Sequence, residues 1–580
     1  MREFLPRLVE LLRDRLYVYA GNLCRVTQHK NLDKPNGKLP AVAEMNVIVP
    51  VNETYLRRAL SDHKLIWKAT KQGVREADAP TEWCEQLLDT PRTEPDTARW
   101  RPLVMLSQTP LLLPSGEIVR VPGYHAESRV YMDFDPARFP ELPRKLTRQH
   151  ALEAIQKFDP IFQLYPFVNA DDTPRNPRRS DALWWQTPSG AVVLSGVLTL
   201  LVKPHLPRVP IIGIDAPKPG YGKTDIVQSI AACTMGHGIP HMTYEDDKEF
   251  AKSLLQLFER GDRLVLVDNV GETFVSNALA AASTSEEQET KRVLGEYKHL
   301  VVRNNAMFCV TGNNLRFGGD LATRRVIRAR LDEDVEHPEL RNFLNKPHPP
   351  TYAKQHFEQL AMAGLTILSA YIQAGKPQPP QKLDVGSFRE WNELVRGCLL
   401  WLGAGDPWLT ARGVAEDDPF YESGWALLDT WYRHLGDRQY RLRDLESYHK
   451  TLYARLFGND PKKSSTTSVG MRLGHLVGDT RKGYRLVRTN SEGHGAQYSV
   501  QWRGKAKDKP TVDYEREAKK QFIEDYIKMA KGLRKEVSAV AIAAEMRTRD
   551  TTRFGDVQAG EVRALAKEIG ITFYGEQNMQ

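Results

Sequence analysis

Cysteine is scarce in this chain. There are five, Cys24, Cys84, Cys233, Cys309 and Cys398, odd in number and with no CxxC pair among them. That excludes a disulfide scaffold and a zinc ribbon, and it points to a reducing compartment, the cytoplasm. Long apolar runs are also missing. The best, Ala191 to Val202, falls short of the roughly 20 residues a membrane span needs and meets Lys203 and Pro204. No membrane partner is therefore expected. The N-terminus, MREFLPRLVELLRDRLYVY, lacks a small-residue cleavage site and carries Glu3, Glu10 and Asp14, so it reads as an amphipathic helix and not as an export signal. Internal repeats and low-complexity tracts are absent. An excess of one charge is nearly absent too: 81 Lys and Arg against 73 Asp and Glu leave +8, which permits a polyanionic partner without establishing one.

What is present is an ordinary globular composition, 41% hydrophobic and 27% charged. Its 580 residues are too many for one core, and about three to five domains are expected. Residues 1–145 read as an α+β domain, with a hairpin around Ala20-Gly21-Asn22 and a Pro-Ser-Gly-Glu turn inside PLLLPSGEIVRVPGYH. Asp89 to Arg101 reads as a linker. Over 146–345 the apolar runs VPIIGIDA, RLVLVDNV and NAMFCVTG alternate with helical stretches, the pattern of an α/β domain with a largely parallel sheet. A helical domain is expected over 351–460, a winged-helix-like region over 461–503 with Arg472, Lys482, Arg485 and Arg488 supplying charge, and a helical module over 510–580.

The strongest chemical signal is IIGIDAPKPGYGKTD, a strand running into a Pro/Gly loop that opens a helix. Such a phosphate-binding loop places Pro219, Gly220, Tyr221, Gly222, Lys223, Thr224 and Asp225 against a nucleotide. Glycines let backbone N–H groups wrap the phosphates, Lys223 reaches the terminal ones, and Thr224 offers its hydroxyl to Mg2+. The helix N-terminus adds partial positive charge. Pro217 stands where the first glycine of GxxxxGK[ST] is usual. A second acid is needed to hold the metal, and Asp268, ending RLVLVDNV, supplies it, so the expected cofactors are ATP and Mg2+ with Thr224 and Asp268 as metal residues. The residue that polarises the attacking water stays open between Asp268, its neighbour Asn269, and Glu272. Asn313, at the tip of NAMFCVTGNN, is either an orienter of that water or a turn former. FGGDLATRRVIRARLD then brings Arg324, Arg325, Arg328 and Arg330, which read either as functional or as a solvated basic face.

Taken in order, PKPGYGKT, VLVDN, KRVLGEYK, TGNN and GDLATRRV resemble the AAA+ replicative helicases of prophage and cassette-type mobile elements, akin to superfamily three and poxvirus-type primase-helicase motors. The resemblance covers Asp181 to Asp332 well and the rest loosely. It implies a multidomain α/β chain whose central P-loop AAA+ ATPase domain is flanked by an N-terminal α+β domain and C-terminal helical and winged-helix domains. It further implies a ring, a hexamer, hydrolysing ATP between subunits to unwind single-stranded and forked DNA, with possible replication-initiation partners. By position, Lys223, Asp268 and Asn313 are catalytic, Arg324 matches an arginine finger, and Arg325 is its rival. Lys291, Arg292, Lys298 and His299 fall where such motors carry a DNA-gripping hairpin. An AAA+ loader or transposition-type regulator, and a nucleotide-stabilised DNA-binding scaffold, are the alternatives.

Two other constellations are weaker. Asp133 and Asp135 in VYMDFDP could form the strand-borne acid pair of a primase, but Pro136 makes a turn the simpler account. Cys233, His237 and His241 have metal-compatible spacing, yet Gly236, Gly238 and Pro240 break any helix that would align them.

Overall fold

The computed structural model describes residues 5–29, 45–63, 67–93, 100–169, 173, 175, 183–285, 287–290, 300–332, 348–379, 386–417, 419–445, 452, 456, 469–470, 473–474, 476–478, 480–491, 495–510, 514–532, 538–549, 557–568 and 571. They fall into two compact units, 1–418 and 419–580. Among the described residues no helix is long and apolar enough to cross a membrane.

The first unit is organised by a five-stranded sheet: β1 (Ile211–Ala216), β2 (His241–Met242), β3 (Leu264–Val270), β4 (Met307–Asn313) and β5 (Val326–Arg330). Every pairing is parallel and the order is β2-β3-β4-β1-β5. Parallel strands covered on both faces read as continuous apolar runs, which is why VPIIGIDA and RLVLVDNV show no alternation. The alternation lies in the packing. Ile212, Ile214, Leu264, Leu266, Met307, Cys309, Ile327 and Ala329 enter one core; Ile211, Val265, Val267, Phe308, Val310 and Val326 enter the other.

The first core holds α1 (Pro188–Val202) and α2 (Lys223–Met235). All fifteen residues of α1 are buried, as expected of a helix apolar on every side. Thr187 starts it by accepting from the Gly190 N–H at 2.9 Å, with Pro188 preset for the first turn. The second core holds α3 (Asp247–Arg260) and α4 (Asn277–Thr284). A short helix, α5 (Asp320–Arg324), precedes β5. The exposed edge of β5 is closed by side chains: Thr410 Oγ1 accepts from the Arg328 N–H at 2.9 Å and Ser189 Oγ from that of Arg330 at 3.1 Å. Thr410 belongs to α6 (Leu409–Glu416).

N-terminal to this sheet, strands Tyr17–Tyr19 and Asn22–His29 form the expected hairpin, with Ala20 at φ 51° and Gly21 at φ 68°, the left-handed pair a two-residue turn needs. The Pro-Ser-Gly-Glu turn likewise joins antiparallel Leu111–Leu112 and Ile118–Val119. The linker read over Asp89 to Arg101 is in part helix, since Thr81–Thr93 is continuous through Pro91.

The helical stretch read as one domain over 351–460 is divided between the two units. Helix Phe357–Gln373 is apolar enough to enter the first core, where Gly364 lets it approach Leu201 of α1. Helix Pro419–Leu435 instead contributes Leu428, Trp431 and Tyr432 to the core of the second unit. There Thr480–Arg481, Tyr484–Ser491 and Gly495–Trp502 form a three-stranded antiparallel sheet within the span read as winged-helix-like. Its Lys482-Gly483 turn is left-handed at both residues. Much of the remainder of that region, Arg472 included, lies outside the described residues. Helices Tyr514–Gly532, Ala539–Arg549 and Ala559–Glu568 form the final module around Ile523, Ile542 and Val562.

A buried ion pair braces the helices behind α1. Arg396 is 6% and Asp406 10% exposed, and the guanidinium meets the carboxylate through two bonds, Nε–Oδ1 at 2.8 Å and Nη2–Oδ2 at 2.7 Å. Removing one partner strands a buried charge. Asp406→Ala should therefore destabilise the first unit by about 3–5 kcal/mol, read as a lowered thermal unfolding midpoint of the full chain.

Candidate functional site

The site sits where parallel strands end. On β1 the chain leaves the sheet at Ala216 and turns through Pro217 to Gly222 into α2. Gly220 (φ 86°) and Gly222 (φ 78°) occupy the left-handed region that lets the loop reverse. A Cβ at Gly222 would also lie 3.0 Å from the Tyr165 ring. Because Gly222 has no side chain, the first turn of α2 begins with its N–H groups uncapped by the preceding residue. Pro219 and Gly220 are exposed, whereas Tyr221 is buried.

Lys223 is only 9% exposed. Its ammonium donates to the Lys218 carbonyl at 3.1 Å and to Asn313 Oδ1 at 2.7 Å. Burial pushes its pKa below the usual lysine value, with Asp215 and Asp268 opposing the shift. Thr224 Oγ1 donates to Asp268 Oδ1 at 3.0 Å. The four residues expected at the phosphate and metal end, Lys223, Thr224, Asp268 and Asn313, are thus brought together from α2, β3 and β4. Asp225 meets His348 Nε2 at 3.2 Å.

The strand period explains the convergence. Counting by twos from core residues, Leu264 and Leu266 lead to Asp268, while Met307 and Cys309 lead to Thr311 and Asn313, all on the α2 face. Thr311 was missed from the sequence. Its hydroxyl donates to Asp268 Oδ1 and accepts from the Asn269 N–H at 3.0 Å. Two hydroxyls therefore hold one carboxylate oxygen. The signal for Thr311 was a polar residue two before Asn313 in an otherwise apolar strand.

Asn269 is exposed, with φ 55°, where the β3–β4 register shifts between Val267 and Val270. That bulge re-aims the chain beyond the acid. Glu272 lies in the exposed turn that follows, its carbonyl accepting from the Arg316 N–H at 2.7 Å. Asn314 (φ 48°) ties the turn after β4 to the loop: its N–H reaches the Ala216 carbonyl at 2.9 Å and its amide the Pro217 carbonyl at 3.3 Å. Pro217 thus serves through its carbonyl, which any residue supplies.

The two arginines weighed as a finger differ. Arg324 ends α5, and its side chain lies outside the described residues. Arg325 is committed within its own chain: Nη1 donates to the Ala280 carbonyl and to Thr284 Oγ1 at 3.0 Å, and Nη2 faces Asp320 at 3.4 Å. A cation at the C-terminal end of α4 complements that helix's dipole. Lys291, Arg292, Lys298 and His299 lie outside the described residues; the flanking strands Glu287–Thr290 and Leu300–Arg303 pair antiparallel.

Of the weaker constellations, Asp135 caps the short 3-10 turn Pro136–Arg138 by accepting from the Ala137 N–H at 3.0 Å, as the turn reading expects. Cys233 is buried inside α2, which pushes its thiol pKa up, while His241 is exposed on β2.

The lowered pKa of Lys223 has a sign that can be tested. The unfolded chain holds that proton more tightly than the folded one between the lowered value and the usual 10.5. The burial penalty is present below this window and is relieved as pH rises through it. The stability of the wild type relative to Lys223→Met should therefore increase from neutral pH toward 10.5, measured by denaturant unfolding across that range.

The sequence matches no family model and no curated protein. Solved structures of the apo NrS-1 C terminal region are similar to this chain. The A form of CTR(305-718) matches at 10% identity, over 86% of this chain and 98% of that one, with a TM-score of 0.36. A second A-form structure of the same region matches at 11% identity, over 77% of this chain and 99% of that one, with a TM-score of 0.32.

Proposed function

We propose that the chain is an ATP-dependent DNA helicase of the AAA+ type, acting as a ring in the replication of a mobile element. The observation that carries the hydrolase reading is the convergence of Lys223, Thr224, Asp268 and Asn313, from three separate segments, at the C-terminal ends of parallel strands. This is where ligands of open α/β sheets bind. The helicase reading adds the ordered motifs PKPGYGKT, VLVDN, TGNN and GDLATRRV.

In this reading the uncapped N–H groups of α2 and the backbone at Gly220 and Gly222 bind the phosphates, and Lys223 neutralises the terminal ones. The hydroxyl of Thr224 and the carboxylate of Asp268 fit Mg2+: both are hard oxygen donors sharing a 3.0 Å hydrogen bond, and the ion takes few protein ligands when phosphates supply the rest. Bound there, Mg2+ would supply charge neutralisation on the phosphates. Asn313, already held by Lys223, orients the attacking water with its side-chain amide. Arg324 is the finger offered to the neighbouring subunit, since Arg325 is occupied at the end of α4.

The test is steady-state ATP turnover with and without single-stranded DNA, followed by strand displacement on 3′- and 5′-tailed forks. Turnover is expected to rise with DNA and to vanish in Lys223→Ala and Asp268→Ala. Arg324→Ala should lower it by about 10³–10⁵-fold. Turnover without strand displacement would instead favour a loader or regulator. Nucleotide binding without turnover would favour a nucleotide-stabilised scaffold and overturn the hydrolase reading.

A further inference from the structure

Beneath the site, on the face of the sheet away from α2, lies a group of charges that the proposed reaction does not use. Asp215 sits on β1 immediately before the loop, in the parity of Ile211 and Gly213, and is fully buried. A carboxylate there is costly unless strong donors meet it. Two do: the Leu315 N–H at 2.7 Å on Oδ1 and Arg330 Nη1 at 3.1 Å on Oδ2. Arg328, two residues earlier on β5 and therefore on the same face, donates from Nη1 to the Leu315 carbonyl at 3.3 Å, and its Nη2 pairs with Asp417 at 2.6 Å.

Leu315 is thus gripped at both backbone groups by charged side chains from two strands. It lies two residues past Asn313, just after the bend at Asn314 that ends β4. From the other direction Asn314 is tied to the Ala216 and Pro217 carbonyls. The turn that presents Asn313 is therefore held at its far end by Asp215 and Arg328 and at its middle by the phosphate loop. Charge-assisted bonds of this kind are roughly twice as strong as neutral ones and are directional.

We infer that Asp215 and Arg328 are positioning residues that set the Asn313 side chain for hydrolysis by clamping Leu315, with Arg330 and Asp417 neutralising the pair. The inference rests on the hydrolase reading above and deepens it. It also separates the arginines of GDLATRRVIRAR: Arg328 and Arg330 are engaged by Asp417 and Asp215 and are not simply a solvated basic face.

A group acting through Asn313 should affect the chemical step and spare binding, since a displacement near 1 Å at a reacting centre lowers rate by about 10²-fold. Arg328→Met keeps the aliphatic stem and removes the donor. It is expected to lower kcat by about 10–100-fold while KM for ATP and nucleotide affinity stay within about three-fold, and Arg328→Lys should restore part of the loss. Asp215→Asn retains an oxygen for the Leu315 N–H and should be milder than Asp215→Ala. Equal loss of binding and turnover in Arg328→Met, or unchanged kcat in an active wild type, would overturn the inference. Hydrogen exchange at the Leu315 amide separates this outcome from failure of the hydrolase reading. The amide should be protected in the wild type and exposed in Asp215→Ala, whether or not ATP is hydrolysed. Equal exchange in both would also refute the clamp.

Discussion

The ammonium of Lys223, a residue only 9% exposed, bonds to a loop carbonyl and to the amide of Asn313, and this is the contact around which the central domain is arranged. A cation in that position is tolerated because it makes short hydrogen bonds and because Asp215 and Asp268 stand near enough to favour its charged form. Each condition recruits a different part of the chain. The loop carbonyl comes from the reversal that two left-handed glycines permit, the amide from the neighbouring strand, and the carboxylates from two strands and both faces of the sheet.

That arrangement requires parallel strands. Only then do β1, β3 and β4 deliver their last residues to the same edge, so that a helix starting at the end of β1 can meet the tips of its neighbours. The cost of a parallel sheet is that both faces must be covered, and the chain covers them with the all-apolar α1 and with α2 on one side and α3 and α4 on the other. The edge of β5, left with unpaired N–H groups, is closed by hydroxyls of Thr410 and Ser189. Residues far downstream therefore belong to the same unit as the site.

Polar residues inside apolar strands have different meanings according to parity. Asp268, Thr311 and Asn313 fall on the α2 face and gather at the site, whereas Asp215, Arg328 and Arg330 fall on the opposite face, where Arg330 pairs with Asp215 and both Asp215 and Arg328 meet the Leu315 backbone. Arg325 is spent on the carbonyl end of α4. A run of arginines that looks uniform along the chain is thus divided by strand period and helix end into separate electrostatic tasks.

The glycine loop that opens α2, the acid at the end of β3, the amide at the end of β4, and the hairpin at Ala20-Gly21 could all be read from the chain as local structure, because each depends on neighbours in sequence: glycines at a turn, an acid closing an apolar run, polar amides after a strand. The strand–helix alternation was legible for the same reason. Thr311, Asp215 and the engagement of Arg325 were not, although an Asp within IIGIDA was itself a sign that a donor had to lie opposite. Their partners are 43, 100 and 45 residues away. Local patterns set which groups stand at a strand's end. Which of them share a face, and so meet, depended on sheet order and register, which arise only when distant segments pack.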